Sequence, residues 1–105
     1  MANLDTLNEL AGTFTSEQQV EVAKWFGKPC LKSQNKVFLV LWSKDLAFKL
    51  TGEAHANALA LPGASLFDPR GKGHAMKEWV HVDNTDDSVL RDLARHAYAF
   101  VVEQS

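Results

Sequence analysis

Residues 20–50 read VEVAKWFGKPCLKSQNKVFLVLWSKDLAFKL, and the way their apolar residues are grouped decides the fold. The groups have strand length: Val20 and Val22, Trp25-Phe26, Cys30-Leu31, Val37 to Trp42, and Leu46 to Leu50. They alternate or run continuously and lack the spacing of a helix face. Polar pairs separate them. Gln34-Asn35 and Ser43-Lys44 each stand between two β-prone runs, where a tight hairpin turn belongs, and Asn35 tolerates the positive φ such turns require. The stretch therefore predicts a β-meander, and consecutive strands joined by short turns pair antiparallel.

Working outward, strands are expected over 19–25, 30–33, 36–42 and 45–50, with Gly27 and Pro29 marking a bend between the first two. In the central strand, simple alternation puts Val37, Leu39 and Leu41 on one face and Phe38, Val40 and Trp42 on the other, so both faces require cover. Upstream, Leu4, Leu7, Leu10 and Ala11 lie on one helical stripe that Gly12 ends, which predicts a helix over 3–11. Ser16 and Gln19 suit a capping box, but the Val20-Glu21-Val22 alternation turns any such start into strand. Downstream, Thr51 is placed to cap a helix over 53–60, which Pro62-Gly63 stops. Residues 64–73 read as loop, with a short strand at Leu66-Phe67. A half-buried strand over 78–82 then sets Trp79 and His81 against Val80 and Val82. Asp86 and Asp87 favour a helix N-terminus, and Val89, Leu90, Leu93, Ala94, Ala97, Phe100 and Val101 form its apolar stripe as far as Val102. The sum is an α+β fold of order α-β-β-β-β-α-β-α: two layers, with helices covering one side of a mainly antiparallel sheet made of the meander and a later strand.

The chain is 105 residues long, so residues 1–105 form one domain, large enough to bury about two-thirds of its unfolded surface. Cys30 is the single cysteine, which excludes an internal disulfide framework and fits a reducing compartment. No apolar run has membrane-spanning length, and the start Met1-Ala2-Asn3-Leu4-Asp5 lacks a basic segment followed by an apolar one. A soluble cytoplasmic protein without membrane contact is the expectation. The formal net charge of −2 is unevenly spread: residues 24–77 hold eight lysines and Arg70 against Asp45, Glu53 and Asp68, a local +6, while the flanks sum to −8. Lysines on the open face and edges of a sheet deter edge-to-edge association, and the overall sign argues against strong non-specific nucleic-acid binding.

Several segments together are familiar. Trp25-Phe26-Gly27, Lys36-Val37-Phe38 after a hairpin turn, Asp45-Leu46, Ala58-Leu59-Ala60-Leu61-Pro62-Gly63-Ala64 and Met76-Lys77-Glu78-Trp79-Val80 resemble, in order and spacing, the N-terminal domain of the TfoX (Sxy) family. Trp25 replaces a methionine common in that family, and Lys28 replaces a second glycine. The related YjbR (MmcQ) group has a Gly-Lys-Pro after its first strand, as Gly27-Lys28-Pro29 here, and a Lys-Trp-Val near its end. The resemblance implies a regulatory or interaction module, since TfoX proteins act as transcriptional co-activators of competence. It implies no catalytic residues and no cofactor.

Read for chemistry, the residues point to binding. His55, His74, His81 and His96 fall in four separate predicted elements at no spacing recognised for zinc, so no metal site is assigned. An isolated cysteine in a strand is a small buried hydrophobe before it is a nucleophile. Asp68-Pro69-Arg70-Gly71-Lys72-Gly73-His74 is basic and glycine-rich but lacks the ending of a nucleotide loop. Aromatics anchor many binding sites, and Trp25, Phe26, Trp42 and Trp79 are the available ones. The candidate partner-binding residues are Trp25, Phe26, Lys28, Arg70, Lys72, His74, Lys77 and Trp79, for a protein partner or a homodimer. Two alternatives stand beside this expectation: a nucleic-acid-binding protein using the basic 24–77 region, and a small-molecule or metal-dependent enzyme using the 68–78 loop with His74.

Overall fold

The computed structural model describes residues 3–42, 45–68, 76–83 and 86–103. Helix α1 (Leu4–Ala11) is opened by a capping box in which the Asn3 side chain accepts from the Thr6 amide while the Thr6 hydroxyl accepts from the Asn3 amide. A single 3-10 turn (Ser16–Gln18) leads into β1 (Glu21–Trp25), β2 (Lys28–Ser33), β3 (Lys36–Trp42) and β4 (Asp45–Lys49). Helix α2 (Gly52–Leu59), β5 (Ser65–Phe67), β6 (Met76–Val82) and α3 (Asp87–Glu103) complete the chain. All pairings are antiparallel, in the order β1-β2-β3-β4-β6-β5. The expected α+β order is the observed one.

Turn chemistry accounts for the register. Gln34 and Asn35, at φ 53° and 65°, make the two-residue β2–β3 turn. Phe26 and Gly27, at φ 53° and 74°, make an equally tight turn between β1 and β2, where the sequence suggests only a bend. Thr51 precedes α2 as expected, but its side chain makes no capping hydrogen bond. The helix is held instead by packing, with Ala58 buried and Ala54 and Leu59 against the core. Asp86 does cap α3: its Oδ1 accepts from the amides of Ser88 and Val89 and from the Ser88 hydroxyl.

The principal core lies between the sheet and the helices. Leu7 and Leu10 of α1, and Leu90, Leu93, Ala94, Ala97 and Val101 of α3, pack on Leu31, Phe38, Leu39, Leu41, Leu46, Phe48, Val80 and Val82. Simple alternation fails in β3. Leu31 pairs with Leu39 but Lys32 pairs with Val37, so Phe38 is an extra residue in the ladder. The bulge turns Phe38 to the helix side beside Leu39 and Leu41 and sends Val37 to the opposite face with Val40 and Trp42. Phe38 thereby meets Phe14 and Tyr98 at ring separations of 5.8 and 5.9 Å. The connection into β1 is tied to this core, because the Gln18 carbonyl accepts from both Ser33 Oγ (3.0 Å) and Tyr98 Oη (3.3 Å).

The face away from the helices has a core of its own. Cys30, Val40, Ala47, Phe67 and Trp79 are buried there, with Ala23, Trp25, Val37, Trp42 and Met76 packed against them. Trp25 is on the edge strand β1 and Trp79 on β6, four strand intervals away, about 19 Å in a flat sheet. Their rings nevertheless stack at 4.8 Å. The sheet must curl strongly about this face, in the direction its natural twist allows.

Candidate functional site

Curling brings six rings from four strands and one turn into a chain of contacts along the concave face. Trp25 meets Phe26 (4.6 Å) and Trp79 (4.8 Å), Phe26 meets Trp42 (6.3 Å), Trp42 meets Phe67 (5.2 Å), and Phe67 meets Trp79 (6.2 Å) and His81 (6.3 Å). Exposure falls along the chain. Phe26 is 59% exposed, Trp25 and Trp42 are half-buried, and Trp79 and Phe67 are buried at 5% and 1%. The inner rings hold the curl, and the outer ones present a surface.

Phe26 is the outlier among them. A bulky L-residue in the left-handed region is strained, and position one of a two-residue turn normally goes to Asn, Asp or Gly. Here a phenylalanine occupies it with most of its surface in water, so neither local conformation nor burial explains the residue. Lys28, directly after the turn, holds its ammonium 5.8 Å from the centroid of the Trp42 ring. Lys24 and Lys28 are both exposed, and no carboxylate among the described residues pairs with either. Glu21 is paired with Lys32 at 3.8 Å.

At the other end of the face, His81 Nε2 lies 3.1 Å from Asp45 Oδ2, both side chains half-buried, beside a cleft of about 170 Å³ lined by Trp42, Ser65, Leu66, Phe67, Asp68 and His81. The remaining described histidines have separate local partners: His55 Nε2 donates to the Lys77 carbonyl at 2.8 Å, and His96 Nε2 is 3.6 Å from Asp92 one turn away. Among the described residues no three potential metal ligands come together. Cys30 lies in the floor of the concave face, and burial pushes its thiol above the ordinary range, which disfavours the reactive thiolate.

Of the residues singled out from the sequence, Trp25, Phe26, Lys28 and Trp79 share this face, Trp79 as its buried support. Lys77 is exposed on β6. Arg70, Lys72 and His74 lie outside the described residues. Phe67, Leu66 and the His81–Asp45 pair were not among the sequence candidates. Trp79 and His81 share a face by alternation, which places His81 on this side, but nothing in the order of residues sets Phe67 against it.

Among the described residues no helix is long and apolar enough to cross a membrane. No protein-family model, no curated protein and no solved structure matches this chain.

Proposed function

We propose that this chain is a non-enzymatic interaction module, similar in sequence organisation to the N-terminal domain of TfoX regulators, that engages a protein partner through the β1–β2 hairpin. The observation carrying this reading is Phe26: an aromatic side chain held 59% exposed, in a strained left-handed conformation, at the rim of an aromatic face whose inner rings are buried. Local strain kept at an exposed anchor is characteristic of binding sites, where large apolar side chains at the centre of a contact dominate affinity.

A nucleic-acid reading draws support from Lys24 and Lys28 but has fewer ring faces to use. Stacking of bases requires open aromatic faces, whereas Trp79 is buried and Trp25 already contacts rings on Phe26 and Trp79. An enzymatic reading through the 68–78 loop rests chiefly on residues 69–75, which lie outside the described set.

Replacing Phe26 with the photoreactive analogue p-benzoylphenylalanine in cells tests the reading. Irradiation should give a discrete, nuclease-resistant protein adduct that the same probe at exposed Asn57 of α2 does not give. Equal labelling at both positions would refute it.

A further inference from the structure

The β1 edge carries more specific information about the partner. Trp25 and Lys28 flank a two-residue turn and so form a hydrogen-bonded pair, which makes Ala23–Cys30 and Glu21–Lys32 the next such pairs along the ladder. The amides and carbonyls of Val22 and Lys24 therefore point away from β2, on a strand that has no neighbour on its other side among the described residues. The opposite edge of the sheet, β5, is only three residues long. Along this edge Val22 and Lys24 are exposed on the face opposite Trp25, exposed Phe26 stands at the turn on the Trp25 face, and no carboxylate among the described residues pairs with Lys24.

We propose that β1 accepts an extended, acidic segment of a partner protein as an added antiparallel strand, with its backbone on Val22 and Lys24, its apolar side chains on the Trp25–Phe26 face, and its carboxylates on the opposite face against Lys24. The proposal rests on the interaction-module reading and names the chemistry of its partner. Strand addition draws affinity from main-chain hydrogen bonds and specificity from alternate side chains. A second copy of this chain is a poor occupant. In a two-fold antiparallel pairing only residues of the same face oppose one another, and Glu21 and Lys24 point to opposite faces of β1. No register therefore sets that carboxylate against that ammonium, and self-pairing leaves the lysines of both copies uncompensated. A nucleic acid satisfies the cations but offers nothing to the outward-facing backbone ladder.

The test uses the whole chain, uniformly ¹⁵N-labelled, titrated with the blocked peptide Glu-Val-Asp-Val-Glu-Val-Asp, with its counterpart bearing lysine at every acidic position, and with oligo-dT. The acidic peptide should shift the Val22 and Lys24 amides, less so as salt rises, and the basic peptide should not. In a Lys24→Glu variant the preference should reverse, with affinity for the acidic peptide falling about fivefold. Lys24 is exposed, so the variant is expected to fold, and its amide spectrum reports that directly. Four results would overturn the proposal: no shift at Val22 and Lys24, equal shifts with both peptides, shifts with oligo-dT alone, or a concentration-dependent dimer that protects the β1 amides. If the edge fails while the Phe26 cross-link persists, the module reading stands and only the strand-addition partner falls.

Discussion

The stacking of Trp25 on Trp79 is the contact that most directly tests the shape of the sheet, because those residues belong to strands four intervals apart. A tryptophan as buried as Trp79, 5% exposed, removes about 200 Å² from water, worth up to ~5 kcal/mol. Trp79→Leu keeps much of that burial and should cost about 2–3 kcal/mol, within the ~5–15 kcal/mol total expected for a domain of this kind. Half-buried Trp25 should cost about 1–2 kcal/mol when replaced by Ala. The informative quantity is the coupling between them. Direct ring stacking predicts that the double variant loses about 0.5–1.5 kcal/mol less than the two single losses together. Urea unfolding of the four proteins, followed by far-UV circular dichroism so that removal of tryptophan does not distort the signal, measures it. A coupling below about 0.4 kcal/mol would mean that the sheet is flatter than described and that the concave aromatic face is not formed.

Other consequences follow from single residues. Phe26→Asn and Phe26→Ala both lose the ring but differ in tolerance of the left-handed conformation, so the Asn variant should be about 1 kcal/mol more stable in urea; equal stabilities would contradict the turn. Gly63, at φ 81°, faces the Asp83 carboxylate where a Cβ would stand, and Gly63→Ala should cost about 1–2 kcal/mol by the same assay. Cys30 should resist Ellman's reagent in the native protein and react fully once the chain is unfolded; rapid native labelling would show that the concave core is open. The hydrogen bond from the Ser88 hydroxyl, followed by those from the Val89 and Ser88 amides, lowers the pKa of Asp86. Its contribution to stability is therefore complete above the unfolded-state value near about pH 4 and is lost as pH falls through the lower folded value. Asp86→Asn should flatten that acid limb in pH-dependent thermal unfolding, and an unchanged profile would remove Asp86 from the cap.

Much of the fold is legible in the sequence. The four-strand meander, the Gln34-Asn35 turn, the short strand at Leu66-Phe67 and all three helices have local causes: period-two patterning, residues that tolerate positive φ, and apolar stripes at helical spacing. The candidate site was legible in part. Trp25, Phe26, Lys28 and Trp79 can be named as exceptional residues, but not which would be exposed and which buried. Phe26 carries a readable signal, since Phe-Gly between two strands is unusual turn chemistry, although its place beside Trp25 groups it with the strand run.

By itself, the sequence determined the type and order of the elements, because each depends on neighbours within a few positions. Tertiary structure alone decided the bulge at Phe38, which depends on how β2 and β3 register against each other, and the curl of the sheet, which depends on rings from β1, β3, β5 and β6 finding one another. Those contacts join residues far apart in the chain. Their consequence is that one tryptophan becomes core, another half-surface, and the phenylalanine beside it projects into solvent. Burial is a property of the assembled sheet, so the same residue types read identically in the sequence and differently in the fold.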